Sequence, residues 1–408
     1  MSDIESVVII GGGQAGGRAA QAMRGGGYSG RLVIVAGEAY PPYQRPPLSK
    51  TVLTAGEGIE RVRVHGEDYY AKTAIELVSD DPATMINRAA RSVRLTCGET
   101  LRYDRLLIAT GALVRRIAVP GAEKDGVLYL RTLDDALALR RRLVPGARLV
   151  VIGGGFIGLE VASSAAALGC AVTVLEASDR LMGRALARGV GDWFAELHRS
   201  RGVDVRLLAS VARIEGEAAA KAVVLADGER IAADIVLVGI GIVPNVQLAA
   251  AAGLAIDNGI AVDPECRTSD ECIFAAGDVT SQVHPALPGR IRLESYQNAQ
   301  DQGTAAGRNL IGVHATHIDR LWVWSDQHGV NLQILGVARD TDEIVYRSNS
   351  AADTFTVFYL RERRIAAINA VNSGRDVRDI ERLISAGIAV DPAALADPAV
   401  RYRDLLPK

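Results

Sequence analysis

The run Val7-Val8-Ile9-Ile10-Gly11-Gly12-Gly13-Gln14-Ala15-Gly16 decides the fold, because it returns as Leu149-Val150-Val151-Ile152-Gly153-Gly154-Gly155-Phe156-Ile157-Gly158. Each copy is an apolar strand that enters Gly-x-Gly-x-x-Gly and opens a helix. In the first copy the pattern predicts a helix to about Arg24, a second strand over Leu32 to Val35 and an acid at Glu38. In the second it predicts a helix to Leu168, a strand over Ala171 to Leu175 and an acid at Glu176. The three glycines do different things. Gly11 and Gly153 make the tight turn, Gly13 and Gly155 let backbone reach a pyrophosphate, and Gly16 and Gly158 let helix pack closely on strand. The helix N-terminus adds unpaired N–H groups and the positive end of its dipole, which favour an anion. Glu38 and Glu176 fall where a carboxylate accepts from ribose hydroxyls. Two complete copies in one chain imply two dinucleotides, one retained as a redox cofactor and one exchanged as substrate.

Composition narrows the remaining choices. The 408 residues exceed one ordinary core of roughly 100–200 residues, and 42 glycines cluster in short turns without a periodic run. A net charge of −2 gives no bulk attraction to nucleic acid or an anionic membrane. The four cysteines, Cys97, Cys170, Cys266 and Cys272, hold no C-x-x-C pair, and the six histidines show no ligand spacing, so neither a disulfide framework nor a metal site is expected. No basic leader precedes a short apolar run and no stretch approaches the roughly 18–20 apolar residues of a membrane span, so the cytoplasm is the expected compartment. Glu176 would repel a 2′-phosphate, and the run Leu175-Glu176-Ala177-Ser178-Asp179 offers no arginine before Arg180 to accept one, so NADH is expected over NADPH.

Further segments carry a resemblance over essentially the whole chain. They are Tyr43-Gln44-Arg45-Pro46-Pro47-Leu48-Ser49-Lys50, Tyr103-Asp104-Arg105-Leu106-Leu107-Ile108-Ala109-Thr110-Gly111 and Tyr129-Leu130-Arg131-Thr132-Leu133-Asp134-Asp135-Ala136. They continue through Gly153 to Glu160, Gly239-Ile240-Gly241-Ile242-Val243-Pro244-Asn245, Ala275-Ala276-Gly277-Asp278-Val279 and Glu294-Ser295-Tyr296-Gln297-Asn298-Ala299. In this order they resemble the FAD-dependent, NADH-linked ferredoxin reductases of bacterial cytochrome P450 and ring-hydroxylating oxygenase systems, of the putidaredoxin-reductase and biphenyl-dioxygenase-reductase type.

That resemblance implies an α/β chain with two Rossmann-like domains of the glutathione-reductase plan. FAD would lie in 1–112 and 240–313, with an NAD domain at 113–239 inserted between them and a C-terminal α+β domain at 314–408. FAD would be lined by Gly11, Gly13, Ala15, Gly16, Glu38, Arg45, Lys50, Ala83, Thr110, Gly111, Arg131, Gly277, Asp278 and Tyr296. NADH would be lined by Gly153, Gly155, Ile157, Gly158, Glu160, Glu176 and Gly241. Lys50, near the flavin, and Glu160, near the nicotinamide, would be the catalytic pair. Many relatives carry the ribose acid one residue earlier, where this chain has Gly37, and some have tryptophan in place of Tyr296. From residue type alone, Lys50 reads as a solvated lysine at a helix start, and Glu160 as a first-turn glutamate that favours the helix dipole.

Glutathione-reductase-like flavoproteins pass electrons through a cysteine pair shortly after the first Rossmann unit, and Pro46 to Lys50 contains none. Disulfide chemistry is thereby excluded, and Cys266 and Cys272 lack the four-thiolate pattern of an iron–sulfur cluster. The expected acceptor is a separate [2Fe–2S] ferredoxin, met by a monomer or weak dimer. The alternatives are a rubredoxin reductase or NADH oxidase, and an NADH-responsive interaction protein resembling apoptosis-inducing factor. From about His314 the pattern changes to alternating apolar strands, such as Leu332 to Gly336, Ile344 to Tyr346 and Thr354 to Leu360, then a helix from about Asp376 to Ala386. Trp322 and Trp324, two residues apart, fall on one strand face that would border the flavin. An acidic ferredoxin would meet a basic rim there, with Arg292, Arg308 and Arg339 as candidates.

Overall fold

Continuous apolar runs, buried on both faces, form two parallel sheets built to one plan. In the computed structural model, which describes residues 4–318, 320–348 and 353–406, the strand Ser6–Ile10 lies between Arg31–Val35 and Arg105–Ile108. Ile75–Val78 and Ile273–Ala275 complete this five-stranded parallel sheet at its two edges. In the second sheet Arg148–Ile152 lies between Ala171–Leu175 and Ile235–Val238, with Asp204–Arg206 and Val127–Leu128 at the edges. The registers match as well: Ile10 aligns with Val35 and Ile108, and Ile152 aligns with Leu175 and Val238. Each central strand therefore ends at the same height as its neighbours, and each glycine turn emerges at the carboxyl edge of its sheet.

The helices after the turns, Gln14–Gly25 and Phe156–Ala167, are made mostly of small residues. Against the first packs Tyr296–Leu310, which brings Gly303 and Gly307 to its surface. A β-carbon on Gly303 would lie 2.4 Å from the Ala15 carbonyl oxygen, and one on Gly307 2.4 Å from that of Ala19. The two helices thus meet backbone to backbone, which fixes the orientation of the first glycine turn.

The C-terminal segment forms an antiparallel five-stranded sheet in the order Trp322–Gln327, Val330–Gly336, Arg364–Val371, Phe355–Arg361, Glu343–Ser348. Ile380 and Leu383 of the helix Val377–Ala386 bury against Phe358, Ile365 and Ile368 of this sheet. The strand Arg364–Val371 had no counterpart in the sequence reading. The chain divides into two compact units. One comprises Met1–Pro47, Glu57–Val114 and Ile242–Asp319, and the other Leu48–Gly56, Arg115–Gly241 and Arg320–Lys408. Among the described residues no helix is long and apolar enough to cross a membrane, and no cluster of ligands could hold a metal ion.

Candidate active site

Both glycine turns show the same division of labour. Gly11 has φ +130 and Gly153 φ +110, values that L side chains rarely adopt. A β-carbon on Gly11 would lie 2.1 Å from the Ala109 carbonyl oxygen, and one on Gly153 2.4 Å from that of Gly239. The third glycines are equally enclosed, since β-carbons on Gly16 and Gly158 would fall 2.1 and 2.2 Å from the carbonyl oxygens of Gly11 and Gly153. The middle glycines differ. A β-carbon on Gly13 or Gly155 would meet nothing within 4 Å, and neither helix start is capped by a side chain. Open space in front of free helix-start N–H groups fits a pyrophosphate at each turn.

The two acids are held differently. Glu176 Oε2 accepts from the Gly154 N–H at 2.7 Å, and its Oε1 accepts from the Ser178 N–H at 2.8 Å and hydroxyl at 2.6 Å. It is thereby locked beside the glycine turn. Arg180, the first arginine after Glu176 in the sequence, donates through Nη2 to the Gly183 carbonyl at 3.0 Å. Glu38 accepts from the Tyr43 hydroxyl at 2.5 Å and from Arg45 Nη2 at 2.8 Å. Burial opposes the charge on Arg45, while Tyr43, Glu38 and Asp278 outweigh it and raise its pKa.

Other expected positions in the first unit lie at loop and strand ends. Thr110 Oγ1 donates to the Asn245 carbonyl at 2.7 Å, and Gly111 follows with φ +65. Ala83 starts the strand Ala83–Asn87, and the Tyr296 hydroxyl donates to Gln44 Oε1 at 3.2 Å. The Gly277-Asp278 turn is anchored by a residue that sequence reading missed. Buried Gln302 Oε1 accepts from the Gly277 N–H at 2.8 Å and from the Thr280 hydroxyl at 2.9 Å. A glutamine two helical turns from the Tyr296 helix start carries no signal of this kind in sequence.

Lys50 and Arg131 belong to the second unit. Arg131 precedes the capping box of Leu133–Arg142, where Asp135 Oδ2 accepts from the N–H groups of Arg131 and Thr132, both at 2.9 Å. Lys50 is not a free, fully solvated lysine, because its Nζ lies 2.7 Å from Glu160 Oε2 with its side chain 20% exposed. Glu160 is the fifth residue of Phe156–Ala167, beyond the first turn, and is 3% exposed, so a dipole contact does not account for it. Its carboxylate accepts from the Ser49 hydroxyl at 2.5 Å and from the Ser325 hydroxyl at 2.7 Å. A buried carboxylate with a cation and two hydroxyls is a prepared charge pair, able to stabilise charge that develops nearby. Three helix positions before it, Ile157 is 46% exposed, and Gly241 lies in the turn after the strand Ile235–Val238 with φ +103.

The Trp322 and Trp324 rings stack with centroids 5.0 Å apart. Of the proposed rim arginines, Arg292 is ion-paired with Glu294 and its side chain is 15% exposed, whereas Arg308 and Arg339 are exposed, one in each unit. All four cysteines are free, and none lies between Pro46 and Lys50.

A family model described as pyridine nucleotide-disulphide oxidoreductase matches residues 5–303, and one described as reductase C-terminal matches 322–406. The chain belongs to the pyridine nucleotide-disulphide oxidoreductases. Among its relatives is the ferredoxin–NAD(+) reductase component of the anthranilate 1,2-dioxygenase system of Burkholderia cepacia, 44% identical with 98% of each chain covered. Putidaredoxin reductase of Pseudomonas putida is 37% identical, covering 100% of this oxidoreductase and 98% of its own length. Among solved structures, the covalent putidaredoxin reductase–putidaredoxin complex matches with a TM-score of 0.93 at 36% identity, covering 98% of this chain and 97% of that one. The ferredoxin reductase of the CYP199A2 system of Rhodopseudomonas palustris matches with 0.94 at 36%, covering 98% and 99%.

Proposed function

We propose that this oxidoreductase takes hydride from NADH onto FAD and passes the electrons singly to a small [2Fe–2S] ferredoxin that serves a cytochrome P450 or a ring-hydroxylating oxygenase. One phosphate-binding turn repeated with the same glycine packing carries the reading, in a chain alike over its full length to a ferredoxin–NAD(+) reductase component. FAD, when bound, supplies the redox chemistry, since it accepts two electrons together and releases them one at a time.

The chain's own residues select, orient and stabilise. Residues 1–112 and 240–313 form the FAD domain, 113–239 the NAD domain and 314–408 the C-terminal domain. Gly11, Gly13, Ala15 and Gly16 receive the FAD pyrophosphate, Glu38 and Arg45 its ribose side, and Ala83, Thr110, Gly111, Gly277, Asp278 and Tyr296 the rest. Gly153, Gly155, Ile157, Gly158, Glu160 and Gly241 receive NADH. The Glu176 carboxylate, locked by Gly154 and Ser178, takes the ribose hydroxyls and repels a 2′-phosphate. Lys50 offers its ammonium to the negative charge that arrives with hydride, and Glu160 holds that ammonium in place. With no cysteine beside Lys50, electrons leave without a thiol step. The protein works in the cytoplasm as a monomer or weak dimer.

Purified protein should be yellow, carry one FAD per chain, and bleach anaerobically with NADH much faster than with NADPH. Protein that neither contains nor takes up flavin, or whose flavin NADH leaves oxidised, overturns the reading.

A further inference from the structure

Glu160 belongs to the helix Phe156–Ala167, yet part of its hydrogen bonding comes from the C-terminal sheet of the same compact unit. Ser325 and Gln327 share one face of the strand Trp322–Gln327, two residues apart. Ser325 Oγ is 2.7 Å from Glu160 Oε1, and Gln327 Nε2 is 3.0 Å from Ser325 Oγ. Behind them His198 Nε2 is 2.9 Å from Gln327 Oε1, and His328 Nε2 is 3.1 Å from His198 Nδ1. Ser325 and Gln327 are each 1% exposed and His198 0%, so solvent does not compete for these bonds.

The direction of each proton follows from the first bond. Paired with the Lys50 ammonium, the Glu160 carboxylate can only accept, so the Ser325 hydroxyl donates to it. That hydroxyl then accepts from the Gln327 amide NH2, which turns the amide carbonyl to His198. His198 must therefore carry its hydrogen on Nε2, leaving Nδ1 to accept from His328 Nε2–H. Neutral imidazoles satisfy this arrangement. Burial lowers the pKa of both rings, and His328, with His198 and Arg201 adding to the effect, falls to about 4. All four donors point toward Glu160. An amide in the middle of the row cannot pass a proton onward without giving up its own, so the row orients and does not conduct.

We propose that Ser325, Gln327 and His198 are positioning residues for hydride transfer, a one-way row of buried donors that presets the Glu160 carboxylate toward Lys50 before NADH arrives. This inference rests on the reading of Glu160 as the residue beside the nicotinamide. It gives the C-terminal domain a part in receiving the electron donor. A row that served only to hold sheet against helix would have no need to end on a charge already paired with Lys50.

The test uses the FAD-loaded full chain with Ser325→Ala, Ser325→Thr, Glu160→Gln and the double variant Glu160→Gln/Ser325→Ala. NAD+ affinity is measured by calorimetry and flavin reduction by NADH in a stopped-flow instrument. Ser325→Ala should slow reduction about 10- to 100-fold, the range of hydrogen bonds to charged groups, and weaken NAD+ binding. Ser325→Thr, which keeps the hydroxyl, should remain near wild type in both. The double variant should be no slower than Glu160→Gln, since both changes act through one carboxylate. Additive losses, or Ser325→Thr as slow as Ser325→Ala, overturn the proposal. If Glu160→Gln is slow and Ser325→Ala normal, the inference fails and the reading of Glu160 stands; if Glu160→Gln is normal in both measurements, both fail. Should Ser325→Ala not fold, Gln327→Met carries the same test: it keeps the side-chain volume, removes both bonds and should slow reduction non-additively with Glu160→Gln, and an unchanged rate overturns the proposal.

Discussion

Gly155 and Gly158 lie three residues apart in the second turn, and alanine at each should give opposite outcomes. At Gly155 the backbone has φ −84 and ψ 179, open to any residue, and the added β-carbon meets nothing within 4 Å. The folded protein therefore accommodates the methyl, at a cost of about 1 kcal/mol or less for an alanine N-cap. That methyl occupies the space in front of the helix N–H groups, the position proposed above for the NAD(H) pyrophosphate. Overpacking of this size costs about 1–3 kcal/mol, or about 5- to 150-fold in affinity. At Gly158 the β-carbon would sit 2.2 Å from the Gly153 carbonyl oxygen and 3.1 Å from Val151 Cγ1. Helix and strand would have to separate by about 1 Å to restore van der Waals contact, so the loss falls on stability. Calorimetric titration with NAD+ and thermal unfolding of the FAD-loaded protein separate the two. Gly155→Ala should keep its unfolding temperature and lose NAD+, while Gly158→Ala should unfold earlier. Wild-type NAD+ affinity in Gly155→Ala would refute the placement of the phosphates.

Glu176→Ala should narrow the NADH over NADPH preference. Repulsion of about 1 kcal/mol per unit charge at 4 Å in water, doubled for a phosphate dianion, amounts to about 30-fold in the ratio of kcat/KM, and an unchanged ratio removes the role given to that carboxylate. Burial lowers His317 to about 4, against an upward pull from Asp301 and with a lesser downward push from His284, and its Nε2 bonds Asn298 Oδ1 at 2.9 Å. The unfolded chain binds that proton near pH 6.5 and the native one only near pH 4, so stability should fall by about 3 kcal/mol as pH drops through this window. Urea unfolding between pH 7 and 4.5 should show His317→Gln losing part of that slope. Replacing Cys97, Cys170 and Cys272 by serine and buried Cys266 by alanine should leave NADH–ferricyanide turnover intact; loss of flavin reduction in that folded variant would show that a thiol takes part.

The two nucleotide units were readable in the sequence because strand, glycine turn and helix are local and carry their own periodicity. The predicted strand over Ala171 to Leu175 matches the structure, and the helix over Gln14–Gly25 ends one residue past the predicted Arg24. The packing duties of Gly11, Gly16, Gly153 and Gly158 follow from spacing alone. The bonds that organise the charge pair were hidden. Lys50, Glu160 and Ser325 are far apart in sequence, and no local pattern marks Ser325 or Gln327 as anything but alternate residues of a strand. The placement of Leu48–Gly56 in the second unit was equally invisible, since the short helix Thr51–Ala55 lacks the length to show a periodic face. The strand Arg364–Val371 escaped because Arg-Ile-Ala-Ala-Ile-Asn-Ala-Val mixes alanine, a strong helix former, with β-branched residues, and pairing on both sides decided its conformation.

Electron transfer from NADH to a separate iron–sulfur protein can be followed by NADH-dependent reduction of cytochrome c with and without an acidic [2Fe–2S] ferredoxin. Reduction by the oxidoreductase alone should be slow, with a large acceleration on adding the ferredoxin. The acceleration should shrink as salt shortens the Debye length to about 10 Å at 0.1 M, with ferricyanide reduction changing less. Rapid NADH–ferricyanide turnover, with cytochrome c reduction that no such ferredoxin accelerates at low salt, would contradict it.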